Sequence, residues 1–444
     1  MDILSFIKNN FTEMPYSIGS LLSFIPYDLR PGISKVYRKR KVEIKEIDNK
    51  EISAKKKYIF DRVKNIAVFA YNKIPFYSNC YCSAGIDPSK FNYFEELEML
   101  PIIRKSDLQN IPLQDRSFLK TNRSLVNTGG STGQPLEFYI EPSSVGHEWA
   151  HMHHIWSQFG YKQSDIKIVA GGRSNIKNII QYDAIRNNIV IDIYSGWEAI
   201  AEKLVKQYQK YKPCYLHGYP SAIFDFIIWL KENDHPLLGE LQDSIKGMFL
   251  GSELPAPVQR LQVEKILDCK SISWYGHTER SVLAYEREIY GEYWPFVTYG
   301  FAEASLHKKN YRLIATNYYN YVSPLIRYDT GDLITPRYNS GLLTSFTIAG
   351  GRESEFILDR NGNKIFLTAL IFGRHHEIFN QSKYIQIRQR AKGTAEVLIV
   401  PRENIDIQTV TEMFDSSNVL IDFTFSTIEK PFRTKIGKVP LLVK

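Results

Sequence analysis

SLVNTGGSTGQPLEFYIEPSSVGHEWAHMHH, Ser124 to His154, sets two catalytic signatures side by side. TGGSTG, Thr128 to Gly133, is a loop of the kind that wraps phosphates. Its backbone N–H groups and hydroxyls can surround an oxyanion, and its glycines have no Cβ to obstruct close approach. It precedes EFYI, a predicted strand. Taken alone, the loop reads equally well as a turn. Gln134 stands where a Walker A lysine would be wanted, and G-x-x-x-x-G-K-[ST] occurs nowhere in the chain, which excludes an ordinary P-loop nucleotide hydrolase.

The second signature, HEWAH from His147 to His151, spells the H-E-x-x-H zinc motif with Glu148 in the place of a general base. At 100° per residue Val145, Trp149, Met152, Trp156 and Phe159 share one helix face, and His147, His151 and His154 take the opposite one. Catalytic zinc needs a third protein ligand and an open position, and nothing else in the chain completes a metalloprotease signature. The favoured expectation is an ordinary polar helix face; lining of a substrate site stays open.

Outward from this stretch, short apolar runs alternate with helical patterns: IKIVAGG, IVIDIY, PCYLHGYPSAIFDFIIWL, IKGMFLGSE and SISWYGHTE. That alternation predicts an α/β sheet with its sites at strand ends. Residues 1–120 read as mainly helical, and Tyr290 to Ile334, rich in β-branched and aromatic residues, as more antiparallel. After IAGGRESE about 90 residues remain, which read as a small α+β domain ending in a basic tail. At 444 residues two domains are expected, because single cores rarely grow beyond about 250 to 300 residues.

The composition is 43% hydrophobic and 23% charged, as in soluble globular proteins. Four scattered cysteines exclude a disulfide framework or a Cys-rich zinc module, and a reducing cytoplasm is the expected location. No run approaches the roughly 18 apolar residues of a membrane span, and the N-terminus does not read as a secretory signal. The formal charge of +8 is densest from Tyr37 to Lys57, where signs alternate at helical spacing. A solvated helix face is the expectation there, with peripheral membrane or anionic contact as the alternative; no nucleic-acid-binding module accompanies the charge.

Four downstream segments supply what the glycine loop lacks. YGHTE, Tyr275 to Glu279, follows SISW and offers an aromatic face for a base and a carboxylate for Mg²⁺. IRYDTGDL places Asp332 beyond a tight Thr-Gly turn, where a carboxylate can accept both ribose hydroxyls. AGGRESE puts Arg352 on a Gly-Gly turn, and the tail EKPFRTKIGKVPLLVK presents Arg433, Lys435 and Lys438 as cations for phosphate.

In this order NTGGSTGQP, YGHTE, IRYDTGDL, GGRESE and RTKIGK resemble the core motifs of adenylate-forming (acyl-adenylate) enzymes, above all the phenylacetate-CoA ligase family and its CapK-like relatives from capsular polysaccharide biosynthesis. IPFYSN, LPIIRKSDLQN, LHGYPSAI and FLGSELP extend the resemblance from about residue 60 onward. The resemblance implies a large N-terminal α/β domain and a small mobile C-terminal α+β domain, here a helical region 1–120, an ATP- and substrate-binding core 121–351, and a domain 352–444 that carries the catalytic lysine. It implies that Thr128, Gly129, Gly130, Ser131, Thr132 and Gly133 hold the triphosphate, and that Gly251, Ser252, Glu253, Tyr275 and Gly276 line the adenine pocket. Thr278 would meet the α-phosphate, Glu279 Mg²⁺ and Asp332 the ribose. Arg352 would bind ribose or phosphate near the hinge, and Lys438 would reach the α-phosphate and the reacting carboxylate. Four departures stand out: Gln134 for a common lysine, His277 where the family usually has a small or apolar residue, no paired aspartates after Arg352, and ILDRNGNKIFLTAL in place of the glycine-rich pattern that helps a CoA ligase bind its thiol.

The implied activity is ATP-dependent activation of a small-molecule carboxylic acid, with pyrophosphate released and the acyl group passed to CoA or to an amine, in a chain that could form a homodimer. His147, His151 and His277 are the candidate substrate residues. A zinc hydrolase built on HEWAH and a non-catalytic nucleotide-binding protein are the alternatives.

Overall fold

The computed structural model describes residues 14–30, 33–119, 122–127, 136–171, 176, 178–193, 195–307, 309–350, 356–362, 364–367, 370, 378, 382–401, 406–416, 419–434 and 439–443. The chain forms two compact units, one of Met1–Phe24, Lys162–Ser273 and Ala349–Lys444, the other of Ile25–Tyr161 and Trp274–Ile348.

The first unit contains the α/β sheet expected from the apolar runs, and the structure shows most of its strands running parallel. KIVA (Lys167–Ala170), NIVI (Asn188–Ile191) and GMFL (Gly247–Leu250) are buried at all four positions. A strand apolar on both faces belongs inside a parallel sheet covered by helices. Lys167–Ala170 pairs in parallel with Asn188–Ile191 and Tyr215–Gly218, and Tyr215–Gly218 with Gly247–Leu250, which in turn pairs with the start of Ser271–Gly276. Only the edge strand Ile180–Asp183 runs antiparallel. Helices Trp197–Tyr211, Pro220–Glu232, Leu237–Ser244 and Pro257–Leu267 supply the crossovers. Proline opens two of them, where its missing N–H costs nothing. Ile168, Leu216, Met248, Leu204, Phe224 and Ile227 meet in the core.

The C-terminal part of this unit has its own four-stranded sheet, in the order Asp422–Thr427, Thr394–Pro401, Ser382–Arg388, Leu442–Val443. A separate cluster around Ile357, Ile387, Val397, Ile399 and Phe414 fills it. The expected architecture, a large α/β part and a smaller C-terminal α+β sheet, is therefore present.

The second unit joins helices to an antiparallel meander. Helix Ile52–Lys73 buries Ile59, Val63, Ile66, Ala67 and Ala70, one stripe at helical spacing. The meander runs in the order Gly300–His307, Asn310–Asn317, Tyr328–Asn339, Leu342–Gly350, Glu292–Pro295, Leu283–Glu286, then Trp274 to Gly276. The hairpin Ser124–Asn127 with Glu137–Ile140 brackets the glycine loop, and TGGSTGQP itself, residues 128–135, lies outside the described residues. In the basic run Arg38, Lys39, Lys41 and Lys45 are exposed on helix Val36–Asp48, as a solvated face requires. Arg40 departs from it: buried, its guanidinium lies 4.0 Å over the Tyr319 ring and pairs with Glu43.

Candidate nucleotide and acyl site

In the second unit, strand Ser271–Gly276 ends where YGHTE begins to turn. Gly276 and Thr278 are exposed at the turn, His277 is half-buried and Glu279 is buried. Glu279 is held at both oxygens: Tyr328 Oη donates to Oε1 at 3.2 Å, and His277 Nδ1 lies 3.0 Å from Oε2. The other ring nitrogen of His277 is 3.3 Å from Ser281 Oγ, so the histidine braces its own turn.

Tyr275, a strand-end aromatic, donates its hydroxyl to the Asp332 carboxylate. Two motifs more than fifty positions apart thus meet through one hydrogen bond. Asp332 does not follow a turn as expected. TGD is a bulge inside the continuous strand Tyr328–Asn339, opposite a register shift between Arg312 and Ile314. Gly331 takes φ +79°, Asp329 Oδ1 accepts its N–H at 2.9 Å, and Thr330 Oγ1 donates to Leu313 O at 2.9 Å. A bulge re-aims one side chain without ending the strand; here that side chain is the buried Asp332.

In the first unit the parallel strands end at Gly218 and at Gly251–Ser252–Glu253. Carboxyl ends of parallel strands are where α/β sheets bind ligands. Gly218, at φ +148°, passes so close to Ala170 that a Cβ would sit 2.1 Å from its carbonyl oxygen. Ser252 adopts φ +70°. Glu253 accepts the Ser221 N–H and the Val439 N–H, both at 3.1 Å, and burial raises its carboxyl above the ordinary range. Nearby Arg433 donates to Asp225 at 3.0 Å, yet burial dominates and pushes Asp225 up to about 7. Thr128 to Gly133, Arg352 and Lys438 lie outside the described residues.

Helix Ser144–Ser157 does not present the ordinary polar face expected of HEWAH. Its apolar stripe does bury Met152 and Trp156, but His147, His151 and His153 are buried as well. The covering groups come from the distant segment 296–319, which no local periodicity could announce. His147 stacks on Tyr319 at 3.9 Å, and the His151 ring packs edge-on to Phe296 and Tyr299. His151 Nδ1 donates to His147 O at 2.8 Å, which leaves Nε2 to accept the Thr298 hydroxyl at 3.0 Å. No lone pair remains on that ring for a metal. Among the described residues no three His, Cys, Asp or Glu side chains group as metal ligands. The zinc reading has no support in this geometry.

Burial pushes His147 down to about 2 and His151 to about 3, with Arg40 adding to both. Both stay neutral in the folded protein while the unfolded chain protonates near 6.5. Their contribution is therefore full above pH 6.5 and is lost progressively toward pH 3. Each histidine is expected to cost about 2 kcal/mol by about pH 5. Asp225 acts in the opposite sense: raised from 3.8 to about 7, its contribution is full below 3.8 and lost as pH rises through 7. Urea titrations of the protein and of His151→Gln between pH 7.5 and 4.5 isolate the histidine effect. The variant should show a flatter decline, and parallel curves would contradict the burial assignment.

Residues that motif reading passed over complete the picture: Tyr328 on Glu279, Ser221 on Glu253, Asp225 on Arg433, and Arg280 beside Glu148. Tyr328 lies within IRYDTGDL and Arg280 follows YGHTE directly, so adjacency to a motif was the signal available for both.

No protein-family model matches the chain. It is 26% identical over 248 residues to the protein CapK of Staphylococcus aureus, a match covering 54% of each chain. It is 22% identical over 244 residues to the phenylacetate-coenzyme A ligase of Thermus thermophilus, covering 49% of each. The chain thus spans about half the length of the curated relatives it matches. Among solved structures, 2-hydroxyisobutyryl-CoA ligase in the postadenylation state, in complex with R3-HIB-AMP, superposes with a TM-score of 0.64 at 17% identity over 88% of this chain and 90% of that one. The same ligase with 2-HIB-AMP and CoA in the thioesterification state gives 0.54 at 18% identity over the same shares. The fold is that of the adenylate-forming ligases, and the sequence likeness to CapK and phenylacetate-coenzyme A ligase points to the same superfamily.

Proposed function

We propose that this adenylate-forming fold serves an ATP-dependent carboxylate-activating ligase, which makes an acyl-adenylate and pyrophosphate and then passes the acyl group to a thiol. The observation that carries the reading is the hydrogen bond from Tyr275 to Asp332, which joins the two motifs proposed to face the base and the ribose. The likeness to phenylacetate-coenzyme A ligase supports coenzyme A as the thiol. An amine acceptor in polysaccharide synthesis is the finer alternative, prompted by the likeness to CapK.

In this reading the glycine loop Thr128 to Gly133 cradles the triphosphate, Gly276 beside Tyr275 is the second unit's candidate for the adenine, Gly251, Ser252 and Glu253 are the first unit's candidates, and Arg352 steadies ribose or phosphate. The exposed Thr278 hydroxyl meets the α-phosphate. Glu279 suits Mg²⁺, being a hard oxygen donor at a strand end; one carboxylate with substrate phosphates and water is the usual Mg²⁺ arrangement, and no all-protein cage is required. The ion would neutralise charge on the phosphates. The substrate carboxylate attacks the α-phosphorus in line, the bond to the bridging oxygen of pyrophosphate breaks, and positioning with charge neutralisation supplies most of the catalysis. His277, braced between Glu279 and Ser281, is proposed to border the acyl group; His147 and His151 would shape that side only through the packing around them.

Carboxylate-dependent exchange of pyrophosphate into ATP, measured across aryl, fatty, amino and uronic acids, tests the reading. At least one class of acid should support exchange. Folded protein that exchanges with none of them would rule the ligase out. Adding CoA or amines to the active acid then identifies the acceptor.

A further inference from the structure

One part of the HEWAH signature is absorbed by neither packing nor metal: Glu148. Its carboxylate accepts the hydroxyl of the buried Tyr299 and faces the Arg280 guanidinium at 4.0 Å. Arg280 also donates to Ser144 Oγ at 2.8 Å, on the same helix one turn earlier. Arg280 is the residue after Glu279, and its backbone sits at φ +51°, a conformation that side-chain-bearing residues adopt at a cost. Its N–H closes the turn onto His277 O at 3.0 Å. The strained residue that reverses the chain after Thr278 and Glu279 is thus pinned at its side chain to helix Ser144–Ser157.

We propose that Glu148 is a positioning residue: through Arg280 it fixes the turn that carries Thr278 and Glu279, and so sets the metal and phosphate end of the site. The inference deepens the ligase reading and rests on it for its catalytic consequence. The structural half, a clamp on the turn, stands on the contacts alone. Glycine favours a positive φ, so Arg280→Gly removes the clamp while relieving the backbone. A residue kept only for stability would behave in the opposite way.

The test compares the full chain with Glu148→Gln, which can still accept from Tyr299 but loses the charge facing Arg280, and with Arg280→Gly. Three quantities are read: the melting temperature, amide hydrogen exchange across residues 277–282, and the Mg²⁺ concentration giving half-maximal pyrophosphate exchange. In Arg280→Gly the melting temperature should hold or rise while exchange in the turn quickens about tenfold. The Mg²⁺ requirement should rise about tenfold in Glu148→Gln and more in Arg280→Gly, the effect of losing a group that orients a metal ligand. Unchanged amide exchange in both variants overturns the clamp, as does a loss of activity that merely follows a falling melting temperature. If the unmodified protein shows no pyrophosphate exchange, the ligase reading fails, and the amide data still decide the clamp.

Discussion

Gly300→Ala is expected to leave little folded protein. A Cβ at this position would lie 2.0 Å from Ser281 O and 2.8 Å from Thr316 O. Both are backbone atoms, and both belong to the meander around the turn after Glu279. An overpacked side chain can rotate away for about 1 to 3 kcal/mol. Here a strand would have to leave its ladder, so a loss above about 4 kcal/mol is expected. Urea unfolding and soluble yield measure it. Gly239→Ala is the control: it lies in helix Leu237–Ser244, and an added methyl would meet nothing within 4 Å, so it should gain about 0.5 to 1 kcal/mol. Equal stabilities for the two variants would mean that the close approach at Gly300 is wrong.

Lys438→Ala is expected to lower adenylate formation by about 10²- to 10³-fold while leaving ATP binding mostly intact. Lys438 itself lies outside the described residues, but the chain on either side is tied down. The buried Gln386 amide donates to Phe432 O at 3.0 Å and Pro440 O at 2.7 Å, and its oxygen accepts the Phe432 N–H at 2.7 Å. Arg433 pairs with Asp225, and the Val439 N–H reaches Glu253 at the end of its parallel strand. Pyrophosphate exchange and equilibrium ATP binding, measured on the same preparation, separate the two effects. An unchanged exchange rate would remove Lys438 from the proposed chemistry.

Much of this molecule was written locally. Runs such as KIVA and GMFL are apolar at nearly every position and alternate with helical patterns, which is enough to expect strands of an α/β sheet, and GSE and YGHTE follow such runs directly, so their place at strand ends needed no structure. The stripe of Met152 and Trp156 was likewise visible, because a 3.6-residue period depends only on neighbours along the chain. What periodicity cannot report is whether something distant covers the other face.

Tertiary packing decided the remainder. It buried His147 and His151 beneath Tyr319, Phe296 and Tyr299, turned the foreseen Thr-Gly turn into a bulge that aims Asp332 at Tyr275, sank Arg40 on a helix whose other basic residues are exposed, and set Glu148 against Tyr299 and Arg280. Each outcome depends on pairing across more than a hundred residues or on a register shift between strands. These are set by the joint free energy of many contacts, and no single stretch of sequence carries them. The sequence by itself determined which segments become strands and helices and where the motif residues fall on them; only the folded chain determined which polar groups face each other, because burial makes an unpaired charge or donor costly and so selects its partner.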